Sequence, residues 1–236
     1  SVTLWQNTFV EPARRITFFR ELRNRLAGLP GVKAAAAVVN MPMAGENWSQ
    51  AFYLEGRPEP PPAELPSANM RIVTPGYFRA MEIPVLRGRD FDATDQPTSR
   101  PVVIIDETFA RRHFPNENPI GRRLKLYFIS ERWWEIVGVT GEVKHYGVQR
   151  PAKPGLYFPF TQFPASSMTM VLKSEKSGAP GLLAAVQHEV RQLDRDVVVA
   201  SPWLMRDLVL RSFWQKRFFG QLFGAFALLA LVLASV

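Results

Sequence analysis

The stretch ANMRIVTPGYFRAMEIPVLRGRDF, residues 68–91, changes character in its middle. Ala68 to Val73 is apolar and β-branched enough to predict a strand, and Thr74-Pro75-Gly76 stops it. Tyr77-Phe78 then opens a short helix, and Arg87-Gly88-Arg89-Asp90-Phe91 turns the chain again. A strand of one unit thus gives way at Thr74 to a block of short, turn-punctuated elements.

Downstream the block continues. Val102 to Ile105 predicts a compact apolar strand, leading through Asp106-Glu107 into a short helix, Thr108 to His113, which Phe114-Pro115 stops. Leu124 to Phe128 and Trp134 to Val139 read as strands of a small sheet, with Gly121 and Gly138 where the backbone must turn or approach closely. Residues 151–164 are rich in proline. Beyond them Met168 to Leu172 predicts a strand, Pro180 to Leu193 an amphipathic helix and Val197 to Val199 a further strand.

Upstream, Glu11 to Ala27 spaces Ile16, Phe19, Leu22 and Leu26 for one face of a helix that Gly28-Leu29-Pro30-Gly31 ends. Val32 to Val39 and Ala51 to Glu55 predict strands, separated by a Pro/Gly-rich loop around Met41 to Asn47. The run Arg57-Pro58-Glu59-Pro60-Pro61-Pro62 predicts an exposed polyproline-type connector. The outer parts of the chain share a helix-plus-strand, βαβ-like order that the middle lacks. An α+β fold follows: a discontinuous portion from 1–73 and 165–200, with a small inserted α/β portion over 74–164.

The last part, 201–236, reads differently. Ser201-Pro202 is an N-cap followed by proline at the first helical position, and no helix breaker occurs from Trp203 to Phe219. From Phe218 to Val236 the chain carries no charge over 19 residues, which as helix would span about 28 Å, close to the hydrocarbon thickness of a bilayer. The run predicts the start of a transmembrane helix; a buried terminal helix is the alternative. Leu210, Phe213, Trp214 and Phe218 share one helical face, and Trp214, Lys216 and Arg217 would sit at the membrane surface. The candidate membrane-coupling residues are therefore Trp203, Leu210, Phe213, Trp214, Lys216, Arg217 and Phe218. Ser1 to Val10 lacks the basic and apolar regions of a signal peptide.

The chain has 236 residues, 29 Lys plus Arg, 21 Asp plus Glu and no cysteine. Without cysteine there is no disulfide, thiolate zinc site or cysteine nucleophile. The net +8 divides as +1, +3 and +4 over 1–70, 71–150 and 151–236. Basic pairs such as Arg14-Arg15, Arg111-Arg112 and Arg122-Arg123 lie near Glu11, Glu21, Asp106, Glu107 and Glu117, which predicts solvated faces and gives no nucleic-acid partner. Tyr127, Phe128, Trp133 and Trp134 fall on strand patterns that predict core packing before base stacking. No P-loop is present, so nothing here hydrolyses a nucleotide in that manner. His113, His145 and His188 are dispersed, and Glu142 with His145 lacks a third ligand. Asp90, Asp92 and Asp95 lack the Gly and terminal Glu of a calcium loop. No G-x-S-x-G elbow accompanies Ser166-Ser167. No catalytic, metal or cofactor site is read.

Several stretches together resemble the MacB-type periplasmic core domain of ABC transporter permeases that carry an FtsX-like membrane domain. They are Leu29-Pro30-Gly31-Val32, Val73 to Phe78, Met81 to Phe91, Ala110 to Pro115, Asn118 to Leu124, Glu135 to Val139, Leu156 to Pro159 and Arg217-Phe218-Phe219. The region Glu55-Gly56-Arg57-Pro58 is similar to the large permeases in which the unit occurs twice per polypeptide. The resemblance implies a porter-like portion with a small inserted portion, on the periplasmic face of the inner membrane. It implies no enzyme activity in this chain, and ATP hydrolysis by a separate cytoplasmic ABC ATPase subunit whose motion the domain relays. A periplasmic adaptor and a second copy of the domain are implied partners, and peptides, lipoproteins or drugs the substrate range. Lys216 and Arg217 lie on the domain side of the apolar run, against the positive-inside tendency, which large translocated domains override. The alternative is a membrane-tethered ligand-binding or sensing module without an ATPase partner.

Overall fold

The structure, a computed structural model, describes residues 2–3, 11–42, 48–129, 131–143, 153–175, 181–195, 197–199, 204–205 and 207. In chain order its elements are β1 (Val2–Thr3), α1 (Pro12–Ala27), β2 (Val32–Val39), β3 (Ser49–Leu54), a 3-10 turn (Pro62–Glu64), β4 (Ser67–Val73) and α2 (Tyr77–Ala80). There follow β5 (Val85–Gly88), β6 (Val102–Asp106), α3 (Glu107–His113), β7 (Arg123–Leu126) and β8 (Trp133–Thr140), and finally β9 (Gly155–Pro159), β10 (Ser167–Ser174), α4 (Leu182–Leu193) and β11 (Val198–Val199). The expected loop over 41–47 lies largely outside the described residues, and the proline run at 57–62 is exposed apart from the half-buried Pro60.

Local chemistry explains the first helix. Pro12 occupies the start of α1, where its missing N–H costs nothing, and Phe18, Phe19, Leu22 and Leu26 bury one face. Each such side chain contributes roughly 1.5–3 kcal/mol by leaving water. Gly31, with φ of 77°, reverses the chain into β2.

The strands form one hydrogen-bonded path, β11-β1-β10-β2-β4-β3-β7-β8-β6-β9, and β9 returns to pair in parallel with β4. Strands β4, β3, β7, β8, β6 and β9 therefore close on themselves as a ring. Their alternate residues, including Phe52, Met70, Ile72, Val103, Ile105, Leu124, Trp134, Ile136, Leu156 and Phe158, share one core with α1. Strand β5 attaches outside the path, to β8. A Cβ on Gly138 would stand 2.3 Å from the Arg89 carbonyl oxygen, so the backbones meet there only because no side chain intervenes.

Several expectations need correction. The proline-rich 151–164 contains β9, whose five residues are all buried, because Pro154 and Pro164 lie outside the paired segment and Pro159 is only its last residue. Val85–Gly88 is a strand where only a turn was expected. Tyr127 and Trp133 are half-exposed, and Phe128 is 88% exposed rather than core. Trp134 alone of that aromatic set is buried, its ring 4.8 Å from that of Phe158.

The opposite face of β4, β9 and β6 carries a buried polar group of residues, placed there by the two-residue period of the strands. Arg71 is the register partner of Tyr157, which is in turn opposite Ile104, and Asn69 is opposite Gly155. Asp106, at the end of β6, caps α3 by accepting the Phe109 amide at 2.7 Å. A Cβ on Gly155 would stand 2.7 Å from Asp106 Oδ2, so glycine is what lets β9 pass this carboxyl. Asp106, expected on a solvated face, is fully buried, as is Arg71 at 1% exposure. Burial raises the Asp106 carboxyl to about 7, outweighing the Phe109 and Gly155 amides and the Arg71 charge, which favour ionisation. Burial likewise pushes the Tyr77 and Tyr157 hydroxyls well above their usual range.

Among the described residues no helix is long and apolar enough to cross a membrane. The apolar run from 218 to 236 lies outside the described residues.

Two predictions follow from these environments. Between about pH 4 and 7 the unfolded chain ionises Asp106 while the folded protein holds it protonated, so its contribution to stability falls as pH rises. His113, lowered to about 4 chiefly by burial, acts in reverse: the unfolded chain binds its proton first, so its contribution rises up to about pH 6.5. Asp106→Asn keeps an oxygen for the Phe109 amide and removes only the falling contribution. The variant's unfolding free energy, measured by urea titration in steps across this range, is expected to climb with pH more steeply than the parent's, the divergence reaching a few kcal/mol. Equal slopes would show Asp106 ionised throughout. Phe128 has φ of 63°, a conformation that costs a side chain about 1–2 kcal/mol. Little burial is lost on its removal, so Phe128→Gly should stabilise the chain by roughly 0.5–1 kcal/mol in thermal unfolding, glycine's own entropy taking back part of the gain.

Candidate functional site

Beyond residue 199 the described residues are 204, 205 and 207. Met205 is partly buried against a second apolar cluster formed by Ala34, Ala36, Val38, Val73, Tyr77, Phe78, Ile104 and Tyr157, among others. This cluster joins β2, β4, α2, β6 and β9, and contains both tyrosines of the buried polar face. Asp207 donates its amide to the Leu204 carbonyl at 2.9 Å, giving the segment one turn of local structure. Whatever displaces residues 204–207 therefore bears on the side of the sheet where Arg71 and Asp106 are buried. The predicted coupling residues Trp203, Leu210, Phe213, Trp214, Lys216, Arg217 and Phe218 lie outside the described residues.

Above this joint, α2 is held by its preceding turn. The Thr74 hydroxyl accepts the Ala37 amide at 2.8 Å and the Thr74 amide donates to the Ala37 carbonyl at 3.0 Å, tying β4 to β2. Gly76, with φ of 85°, permits the reversal into α2. Tyr77 and Phe78 then bury their rings against Tyr157, at 6.3 and 5.0 Å between centroids. The sequence motif at 74–78 thus positions the surface that receives Met205.

Two outer surfaces accompany it. The solvent face of β3, β7 and β8 sets Tyr53, Lys125 and Trp133 in one row and Glu55, Arg123 and Glu135 in the next. Lys125 Nζ lies 5.4 Å from the centre of the Tyr53 ring and 5.6 Å from that of Trp133, and Arg123 pairs with Glu55. Phe128 stacks on Tyr127 at the end of this face, at 3.8 Å. A groove of about 430 Å³ lies between β5 and α3, lined by Leu86, Arg87, Arg111, Phe114, Glu117 and their neighbours. Several of its charges are engaged by their own neighbours: Arg111 binds Glu107 at 3.1 Å and Glu142 at 3.0 Å, and Glu117 binds Arg122 at 3.1 Å.

The titratable residues singled out in the sequence have structural partners. His113 packs edge-on to Phe52, 5.2 Å between rings, and lies 4.7 Å from Phe109, where it stays neutral at ordinary pH. Asp95, 2% exposed, receives both Nη atoms of Arg89 at 2.8 Å, and Asp92 accepts the Thr94 amide at 2.7 Å. Among the described residues no three His, Asp or Glu side chains converge on a point that could hold a metal. His145 lies outside the described residues and His188 is exposed on α4. The buried polar face escaped the sequence reading, although alternation in β4 signalled it: Ala68, Met70 and Ile72 share one side, Asn69 and Arg71 the other. The docking of Met205 had no such signal.

The sequence profile of the MacB-like periplasmic core domain matches residues 2–193. Two solved structures share the fold. The periplasmic region of MacB from Actinobacillus actinomycetemcomitans aligns with a TM-score of 0.52 and 16% identity, covering 84% of this chain and 81% of that one. The extracellular domain of the noncanonic ABC-type transporter YknZ from Gram-positive bacteria aligns with a TM-score of 0.51 and 18% identity, covering 78% and 89%. No curated protein sequence matches the chain. A profile match over residues 2–193, with a sheet and helices arranged as in these two domains, means that the chain belongs to the MacB-like periplasmic core domain family.

Proposed function

We propose that this chain is the extracytoplasmic domain of an ABC transporter permease and that it relays motion between the membrane helices and the periplasmic face. In this reading the energy comes from a cytoplasmic ABC ATPase subunit. The observation that carries the reading is the seat of Met205 on the cluster joining β2, β4, α2, β6 and β9. It seats the segment that leads toward residues 208–236 on the sheet. In this reading 1–73 and 165–200 act as the porter-like portion, 74–164 as the inserted one, and 201–236 as a stalk entering lipid. The stalk sequence contains neither Gly nor Pro from Trp203 to Phe219, so a helix there would resist bending and pass on displacement. Movement or extrusion of a peptide, lipoprotein or drug at the periplasmic face, with an adaptor and a second copy of the domain, completes the proposal.

These 236 residues hold no cysteine, so sidedness can be read from one introduced here in a permease otherwise free of cysteine. Glu59→Cys, in the exposed 57–62 connector, should react with a membrane-impermeant maleimide in intact spheroplasts. Reaction only after lysis would overturn the extracytoplasmic placement. Coupling is tested separately in the assembled permease and ATPase. Two glycines inserted after Leu210 should abolish substrate export while ATP turnover and the thermal stability of the domain persist. Export at the parent rate would defeat the stalk and favour the ligand-sensing alternative.

A further inference from the structure

Three arginines gather over the turn that precedes α2. Arg23, half-buried on α1, donates from Nη1 to the Pro75 carbonyl at 3.3 Å and from Nη2 to Asn24 Oδ1 at 2.9 Å. Arg79 of α2 reaches back over the same turn, for a Cβ on Gly76 would stand 3.8 Å from its Nη2. Arg20 lies three residues before Arg23 and so shares its face of α1. The charges are close enough to feel one another: Arg20 and Arg79 both disfavour the charged state of Arg23, adding to the larger effect of its burial.

Six arginines elsewhere on the molecule are held in ion pairs. Arg25 pairs with Glu21, Arg89 with Asp95, Arg100 with Glu135, Arg111 with Glu107, Arg122 with Glu117 and Arg123 with Glu55. None of Arg20, Arg23 and Arg79 has an ion-pair partner among the described residues. Arg79 favours ionisation of Asp90, a half-buried carboxyl that already receives the backbone amides of Phe91, at 2.6 Å, and Gly76. Three positive charges against one leave an excess of two. Their mutual repulsion disfavours the folded state, and an anion with several acceptor oxygens would relieve it. Guanidinium groups present paired donors that match phosphate oxygens, and Arg23 is already fixed in place by its two hydrogen bonds.

We propose that Arg20, Arg23 and Arg79 form a binding site for a phosphate-bearing anion, either free phosphate or the headgroup of an anionic phospholipid. Arg23, held against the Pro75 carbonyl, supplies the fixed donor fork, and the exposed Arg20 and Arg79 close over the ligand from α1 and α2.

The whole chain, reconstituted in phosphatidylcholine nanodiscs, provides the test. Sodium phosphate should raise the thermal midpoint saturably above that in sodium chloride of equal ionic strength. Arg20→Gln and Arg79→Gln, both at exposed positions, should each shift the phosphate midpoint concentration upward, and together by about tenfold or more. The source is separated by replacing part of the lipid with phosphatidylglycerol. A raised midpoint that no longer responds to added phosphate assigns the site to the lipid headgroup, and a persistent response assigns it to the free ion. Equal effects of phosphate and chloride together with no effect of phosphatidylglycerol would overturn the site. So would an unchanged phosphate response in the double variant, whereas the comparison of salts on the parent chain needs no variant to fold.

Discussion

The constraint on which this structure turns is the passage of Gly155–Pro159 between β4 and β6. This strand pairs in parallel with one and antiparallel with the other, and without it the path of strands would end in two open edges there. Its fit depends on one contact. Gly155 passes Asp106 Oδ2 at a separation that leaves no room for a Cβ, while its neighbours Leu156 and Phe158 fill the core and Tyr157 faces the other way. Closing the ring therefore requires a residue with no side chain at the carboxyl and alternating large side chains immediately after it.

The same passage produces the buried polar face. Asp106 must terminate β6 and cap α3, so it cannot be moved to solvent without losing the start of that helix. Arg71 sits two strands away as the register partner of Tyr157. A buried carboxyl with a buried arginine nearby is a costly arrangement compared with an apolar one of the same volume. What it provides is specificity of register, because a shift of β9 by one residue would set Leu156 against the polar groups and Tyr157 in the core. Met205 packs on the cluster that covers this face. The proposed mechanical route into the domain thus begins where the sheet has least freedom to slip, as a relay requires.

The electrostatic character of the surface divides in the same manner. Several arginines are matched by a carboxylate brought close by the fold, some across long separations in sequence such as Arg123 with Glu55 and Arg100 with Glu135. The net charge therefore says little about partners until the matched pairs are set aside. What then stands out is the group around Pro75, made by a helix from the start of the chain and a short helix more than fifty residues later.

The sequence alone determined the elements whose signals are local. Period 3.6 with a Gly-Leu-Pro-Gly stop was enough for α1, apolar runs for β2, β4 and β6, and proline punctuation for the exposed connector at 57–62. A set of short motifs in the right order was enough for the family. Its reading stopped where local pattern and tertiary environment diverge. Residues 155–159 looked like part of a proline-rich link because one strand without partners has no distinguishing pattern; two neighbouring strands pair its edges and an apolar cluster on each side of the sheet buries its faces. Asp106 looked like a surface acid because charge near basic pairs is usually solvated, and only the approach of Gly155 encloses it. Phe128 looked like core because hydrophobicity carries no record of the turn that carries it past the end of β7 into solvent. Tertiary structure decided these cases because burial belongs to the arrangement of several segments, and no single segment contains it.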